Sequence, residues 1–396
     1  MKTIPYGRQQ ITESDVQAVE EVLWGDWLTQ GPTVSAFEEQ VARYCHARYA
    51  VAVSHGTAAL QLVCQALGLG AGDGLWTSPI TFAASANCGR YCGATVNFVD
   101  IEREGYNLSP AALEQALQNA AATGTLPKIL IPVHFAGLSC DMEAIHTLAK
   151  RYGVAVVEDG CHALGGKYQG QPMGDCRYSD AVVFSFHPVK SITTGEGGMV
   201  VTNRQDLYEK LLLLRSHGIT RDPALMAQPS HGPWFYDQVE LSYNFRLTDI
   251  QAALGISQLQ RLNDFVAKRE ELVARYNRML AHMPLILPHW SVNSGSANHL
   301  YVVRLQGEWT ANRAHLFDTM REEGIGVNVH YIPVHLLTLY RRLGFAPGDF
   351  PQAEWYYEGA LTLPLHPSLS EVEQNRVVAA LQVYFDRHTP GGEMGR

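Results

Sequence analysis

The chain has 396 residues, more than one hydrophobic core usually spans, and a formal net charge of -9. Apolar residues make up 46% and charged residues 17%, which argues against a disordered chain. Lys and Arg are scattered rather than run together, which argues against a protein whose main task is gripping nucleic acid. The amino-terminal MKTIPYGRQQ has no apolar stretch after its charges, and no run approaches the roughly 18 apolar residues of a membrane span. A cytoplasmic protein is expected. Seven cysteines, an odd count without a CxxC pair, make a poor disulfide framework.

Short β-branched runs alternate with helical stretches from about residue 50 to 203, the pattern of an α/β domain with a mainly parallel sheet. The expected strands are AVAV (50–53), TVNFV (95–99), KILIPV (128–133), VAVVE (154–158), AVVFSF (181–186) and MVVT (199–202). TAALQLVCQALG, SPAALEQALQNAAA and MEAIHTLAKRYG read as helices between them. The strands are continuous apolar runs, as expected where helices cover both faces of a sheet. Cys88 and Cys92 are expected one turn apart on a helix, as small core residues rather than metal ligands.

After residue 247 the apolar positions of TDIQAALGISQLQRLNDFVAKREELVARYNRML recur every three or four residues and predict one long helix or two joined helices. Beyond it, NHLYVVRL, a helix near RAHLFDTMREEG, a strand GVNVHY and a helix near SEVEQNRVVAALQVYFDR predict a small α+β domain. The terminal GGEMGR reads as a frayed tail. The expected division is a large domain over 1–250, including an amino-terminal arm, and a smaller one over 251–396.

In open sheets of this kind ligands gather beyond the carboxyl ends of the strands, so polar residues just past the apolar runs carry the most weight. Lys190, in FSFHPVKSITTGEGG, follows such a run and precedes a glycine-rich turn. There it is either an exposed loop lysine or a candidate Schiff-base former, the second requiring burial or nearby positive charge to lower its pKa from about 10.4. Asp159 ends VAVVED, where a carboxylate is costly to bury unless something cationic meets it. A protonated pyridine ring is such a partner; a helix N-cap is the alternative. SHGTAALQL opens a helix directly after a strand, and the free amides of its first turn with the Thr57 hydroxyl suit a phosphate, although the same residues also make an ordinary cap. Ser185 is a second hydroxyl within this set.

SHGTAAL, TFAASAN, EDGCHALGG, FSFHPVKSITTGEGG and YNFRLTDIQAALG together resemble the DegT/DnrJ/StrS family of sugar-nucleotide aminotransferases over almost the whole chain. The resemblance implies an aspartate aminotransferase-like fold binding pyridoxal 5'-phosphate (PLP). It implies Lys190 as the Schiff-base lysine, Asp159 as partner of the pyridine nitrogen, Thr57, Ala58 and Ser185 as phosphate ligands, Phe82 over one ring face and His162 near the ring. It further implies a homodimer in which Asn244 reaches the neighbouring subunit's phosphate.

Within the family, RSHGI, NHLYVV, VHYIPVHLLTLYRRLGF and ALTLPLHPSL look closest to the branch serving pseudaminic acid biosynthesis. That implies glutamate as donor, UDP-2-acetamido-2,6-dideoxy-β-L-arabino-hex-4-ulose as acceptor and UDP-4-amino-4,6-dideoxy-N-acetyl-β-L-altrosamine as product. Tyr6 and His330 are substrate-lining candidates by the same resemblance, with packing as the alternative. His187 either hydrogen-bonds substrate or cofactor or packs beneath the loop. No metal is expected at His330, His335 and His366, since their spacing, interrupted by Pro333, suits neither one helix face nor a standard ligand set. GEGG leads into a strand rather than a helix, so it is no dinucleotide fingerprint. A PLP-dependent sugar dehydratase would carry histidine in place of Lys190, and a PLP-binding regulator would need an attached helix-turn-helix domain.

Overall fold

A computed structural model of the chain describes residues 3–288 and 295–391, so residues 392–396 of the expected tail lie outside the described residues. The apolar runs assemble into a seven-stranded sheet. Its order is Tyr49–Val53, Gly198–Thr202, Ala181–Ser185, Ala155–Asp159, Ile129–Ile131, Gly74–Thr77 and Thr95–Phe98. Gly198–Thr202 is antiparallel to both its neighbours, and the other pairings are parallel. The six expected strands are present. The seventh, Gly74–Thr77, is not among the expected strands. It is a strand because Thr95–Phe98 pairs with one edge and Ile129–Ile131 with the other.

Apolar residues pack on both faces, which is why the inner strands carry no polar alternation, whereas the edge strand Thr95–Phe98 exposes Thr95 and Asn97. Val51, Val53, Val183 and Val200 meet Leu60, Val63 and Leu211 of the helices on one side. Ala50, Ala52, Phe184 and Met199 meet Phe37, Leu247 and Phe265 on the other. The three predicted helices between strands form as Gly56–Ala66, Pro110–Thr123 and Met142–Tyr152. Ala84–Tyr91 is a further helix carrying Cys88, whose Sγ lies 3.7 Å from that of Cys64.

The long apolar pattern after residue 247 resolves into two helices, Asp249–Leu259 and Leu262–Leu280. The first begins at a capping box in which Thr248 and Gln251 satisfy each other's backbone amides. Leu285–Ile286, Tyr301–Leu305 and Ala360–Leu363 make a small antiparallel sheet. Its core gathers Tyr276, Leu280, Val303, Leu316, Leu363 and Leu381, with Ile4 from the amino-terminal arm. GVNVHY does not form a regular strand: a single bridge pairs Asn328 with Thr362. The Tyr356 hydroxyl donates to the His330 carbonyl, and the segment leaves the ladder and enters the site. Among the described residues no helix is long and apolar enough to cross a membrane.

Candidate active site

Register decides where the polar residues meet. Gly198 pairs with both Val53 and Ser185, and Asp159 pairs with Val183 one strand further on, so these strand ends open into one cavity of about 660 Å³. The helix after Val53 starts at Gly56, and its first-turn amides have no intrahelical acceptors. Gly56, Thr57 and Ser185 line the cavity. The expectation of a free amide at Ala58 is not met. His55 caps the helix, its Nδ1 accepting the Ala58 amide at 2.9 Å, and Ala58 is buried away from the cavity lining. Gly198 makes the crowding possible: a Cβ there would stand 2.6 Å from the His55 carbonyl carbon and 2.8 Å from the Gly56 nitrogen.

Asp159 lines the same cavity and is only 5% exposed. Turns rather than a helix follow it, so it is not an N-cap, although its Oδ1 accepts the Cys161 amide at 3.1 Å. Its Oδ2 accepts the Ser85 hydroxyl at 2.6 Å. A carboxylate has about four lone-pair sites, so two hydrogen bonds leave capacity for a ring N–H.

Lys190 is half-buried in the cavity wall. Burial lowers its pKa from the ordinary lysine value, while Cys161 and Asp159 pull the other way. Phe82 is 64% exposed and lines the cavity, an open aromatic surface suited to covering a flat ring. His162 is buried, its Nε2 3.0 Å from the Tyr331 hydroxyl and its ring centroid 4.4 Å from that of His299. Burial, with Lys190 and His330 adding to it, drives the His162 pKa well below the usual histidine range and keeps the ring neutral. Its Nδ1 is buried without a partner among the described residues. A phosphate-suited turn, an amine, a buried carboxylate with spare acceptor capacity and an exposed aromatic ring therefore fit PLP as a set.

Tyr6, His187 and His330 also line the cavity. His187 is exposed, whereas the Tyr6 ring packs 5.3 Å from that of His330. Asn244 is exposed and lies outside the cavity of its own chain. His335 and His366 are occupied elsewhere, by Glu354 and Ser368. Ser85, Tyr331, His299 and Cys161 were not singled out by sequence reasoning. Ser85 was within reach, since TFAASAN already pointed to Phe82 three residues earlier.

His330 carries a pH prediction. Its Nδ1 is 2.9 Å from the Thr362 hydroxyl, and burial, then Lys190, pushes its pKa down to about 4 from the ordinary 6.5. Between those values the unfolded chain binds a proton that the folded chain does not, so stability is lost as pH falls from about 6.5 to about 4. The contribution is on the order of 3 kcal/mol. Denaturant unfolding at pH 6.5 and 4.5 is expected to show a smaller difference in His330→Gln than in the parent protein; equal differences would exclude His330 as a source.

The sequence profile of the DegT/DnrJ/EryC1/StrS aminotransferase family matches residues 9–382. The spore coat polysaccharide biosynthesis protein SpsC of Bacillus subtilis is 38% identical over 383 residues, covering 96% of each chain. The UDP-4-amino-4,6-dideoxy-N-acetyl-beta-L-altrosamine transaminase of Campylobacter jejuni is 36% identical over 370 residues, 93% of each. Among solved structures, Helicobacter pylori PseC, an aminotransferase involved in the biosynthesis of pseudoaminic acid, superposes with a TM-score of 0.90 at 31% identity, over 98% of this chain and 100% of its own. The putative sugar aminotransferase Spr1654 of Streptococcus pneumoniae, in its PLP-form, gives 0.86 at 30% identity over 96% and 98%. With residues 9–382 matched and relatives aligned nearly end to end, the chain belongs to the DegT/DnrJ/EryC1/StrS aminotransferase family.

Proposed function

We propose that this PLP-dependent sugar aminotransferase moves an amino group from glutamate to carbon 4 of a UDP-linked 4-keto-6-deoxy-N-acetylhexosamine. The product would be UDP-4-amino-4,6-dideoxy-N-acetyl-β-L-altrosamine. The observation that carries the chemistry is the convergence of Lys190, Asp159 and the Gly56–Thr57 turn in one cavity. The altrosamine transaminase and PseC likenesses support the choice of sugar. The SpsC likeness, at slightly higher identity, supports a second reading in which another nucleotide-linked keto-sugar is the acceptor.

In this reading Thr57 and Ser185 hold the phosphate with the amides of Gly56 and Thr57, Phe82 covers one ring face, His162 lies near the ring and Asp159 holds the ring nitrogen. When bound, PLP supplies an electron-withdrawing ring that stabilises charge developing on the donor's α-carbon. Lys190 would hold the cofactor through Nζ and would supply the amine that serves as base for the donor's α-proton. A histidine in its place would suit a dehydratase, so lysine at 190 supports the aminotransferase. Tyr6, His187 and His330 would contact substrate.

Asn244, exposed outside its own cavity, would serve the site of the second subunit in a homodimer. The exposed Leu241 and Tyr243 beside it suit such an interface. A cytoplasmic location and a division near residue 250 into a larger cofactor-binding part and a smaller part belong to the same proposal.

The test is an absorbance titration of the PLP-loaded protein, first with glutamate and then with the UDP-linked 4-keto sugar. Glutamate should bleach the visible band of the cofactor and the sugar should restore it. Bleaching without restoration would transfer the proposal to another keto-sugar; no bleaching would exclude glutamate as donor.

A further inference from the structure

We propose that Ser85, backed by Thr81, is a positioning residue that aims the Asp159 carboxylate at the ring nitrogen of the cofactor. This rests on the reading of Asp159 given above. Ser85 is fully buried on the helix Ala84–Tyr91, and Thr81 is 2% exposed. The Ser85 Oγ stands 2.6 Å from Asp159 Oδ2, 3.3 Å from the Phe82 carbonyl and 2.7 Å from Thr81 Oγ1.

A hydroxyl has one proton to give, and it goes to the short, charge-assisted bond with the carboxylate. Thr81 must then be the donor to Ser85. The result is a one-way chain, Thr81 to Ser85 to Asp159, with no alternative direction while Asp159 is ionised. Together with the Cys161 amide on Oδ1, it holds both carboxylate oxygens from the protein side. The carboxylate plane is thereby fixed before any ligand arrives, and a preformed acceptor loses less on binding than one that must be ordered.

The same short segment also presents Phe82, and the Ser85 amide bonds to the Phe82 carbonyl at 3.2 Å. One helix start therefore sets both the aromatic cover and the orientation of the ring-nitrogen partner.

The experiment compares the affinity of the apoprotein for PLP with its affinity for the PLP analogue that has carbon in place of the ring nitrogen. Hydrogen bonds to charged groups correspond to roughly a tenfold to hundredfold effect. Ser85→Ala should weaken PLP binding by about tenfold or more while changing analogue binding by less than about twofold. Thr81→Val, which keeps the Ser85 bond but removes its support, should give a smaller loss in the same direction and serves if Ser85→Ala fails to fold. Equal weakening of both ligands, or unchanged PLP affinity, would overturn the proposal. Asp159→Asn is the control: if it too fails to discriminate the two ligands, the reading of Asp159 itself falls, an outcome distinct from failure at Ser85 alone.

Discussion

Replacing Lys190 with alanine is expected to lower turnover by about 10⁴-fold, the upper range for a positioned base, and to remove the visible band of the bound cofactor. The amine sits half-buried in the cavity wall with its pKa lowered by burial, so it is more readily neutral than a surface lysine. It would lose two functions at once, covalent attachment of the cofactor and proton transfer at the donor α-carbon. Lys190→Arg is the informative companion. A guanidinium keeps the positive charge but is not deprotonated in proteins, so it should be as inactive as alanine. Steady-state turnover and absorbance spectra of both variants check this. Appreciable activity in Lys190→Arg would mean that position 190 contributes only charge.

Asp159→Ala is expected to cost about 10²–10³-fold in turnover, the scale for removing one preorganised electrostatic partner. It should also destabilise the protein by about 1–3 kcal/mol, because the buried Ser85 hydroxyl and the Cys161 amide lose their acceptor. Asp159→Asn separates the two effects. Its carbonyl oxygen can still accept one of those donors, so most of the stability should return, while the negative charge proposed to face the ring nitrogen stays lost. Denaturant unfolding and single-turnover rates with glutamate would show stability recovering and rate not. Parent-like rates in Asp159→Asn would exclude the carboxylate as the partner of the ring nitrogen.

Much of this architecture is legible along the chain because parallel strands buried on both faces leave a conspicuous sign, an apolar run that stops at a polar residue. Asp159, Ser185 and the turn at Gly56 were found that way, and Lys190 follows the same logic a few residues later. Other elements leave no such sign. Gly74–Thr77, GLWT, has only one β-branched residue and does not stand out as a strand until neighbours pair with both its edges. GVNVHY has the composition of a strand, but the His330 carbonyl accepts the Tyr356 hydroxyl instead of a ladder amide. Ala58 stands in an inviting helix start, yet whether its amide is free depended on the rotamer of His55.

The periodicities, the residue types at the strand ends and hence the kind of chemistry are local properties of the chain, since they depend on propensity and on which side chains can be buried. The company those residues keep is set by the packed fold. Ser85 meets Asp159 across 74 positions of chain, and Tyr331 meets His162 across 169. Contacts at such separations follow from strand register and helix packing, which no local pattern encodes, and they orient the groups that the local pattern supplies.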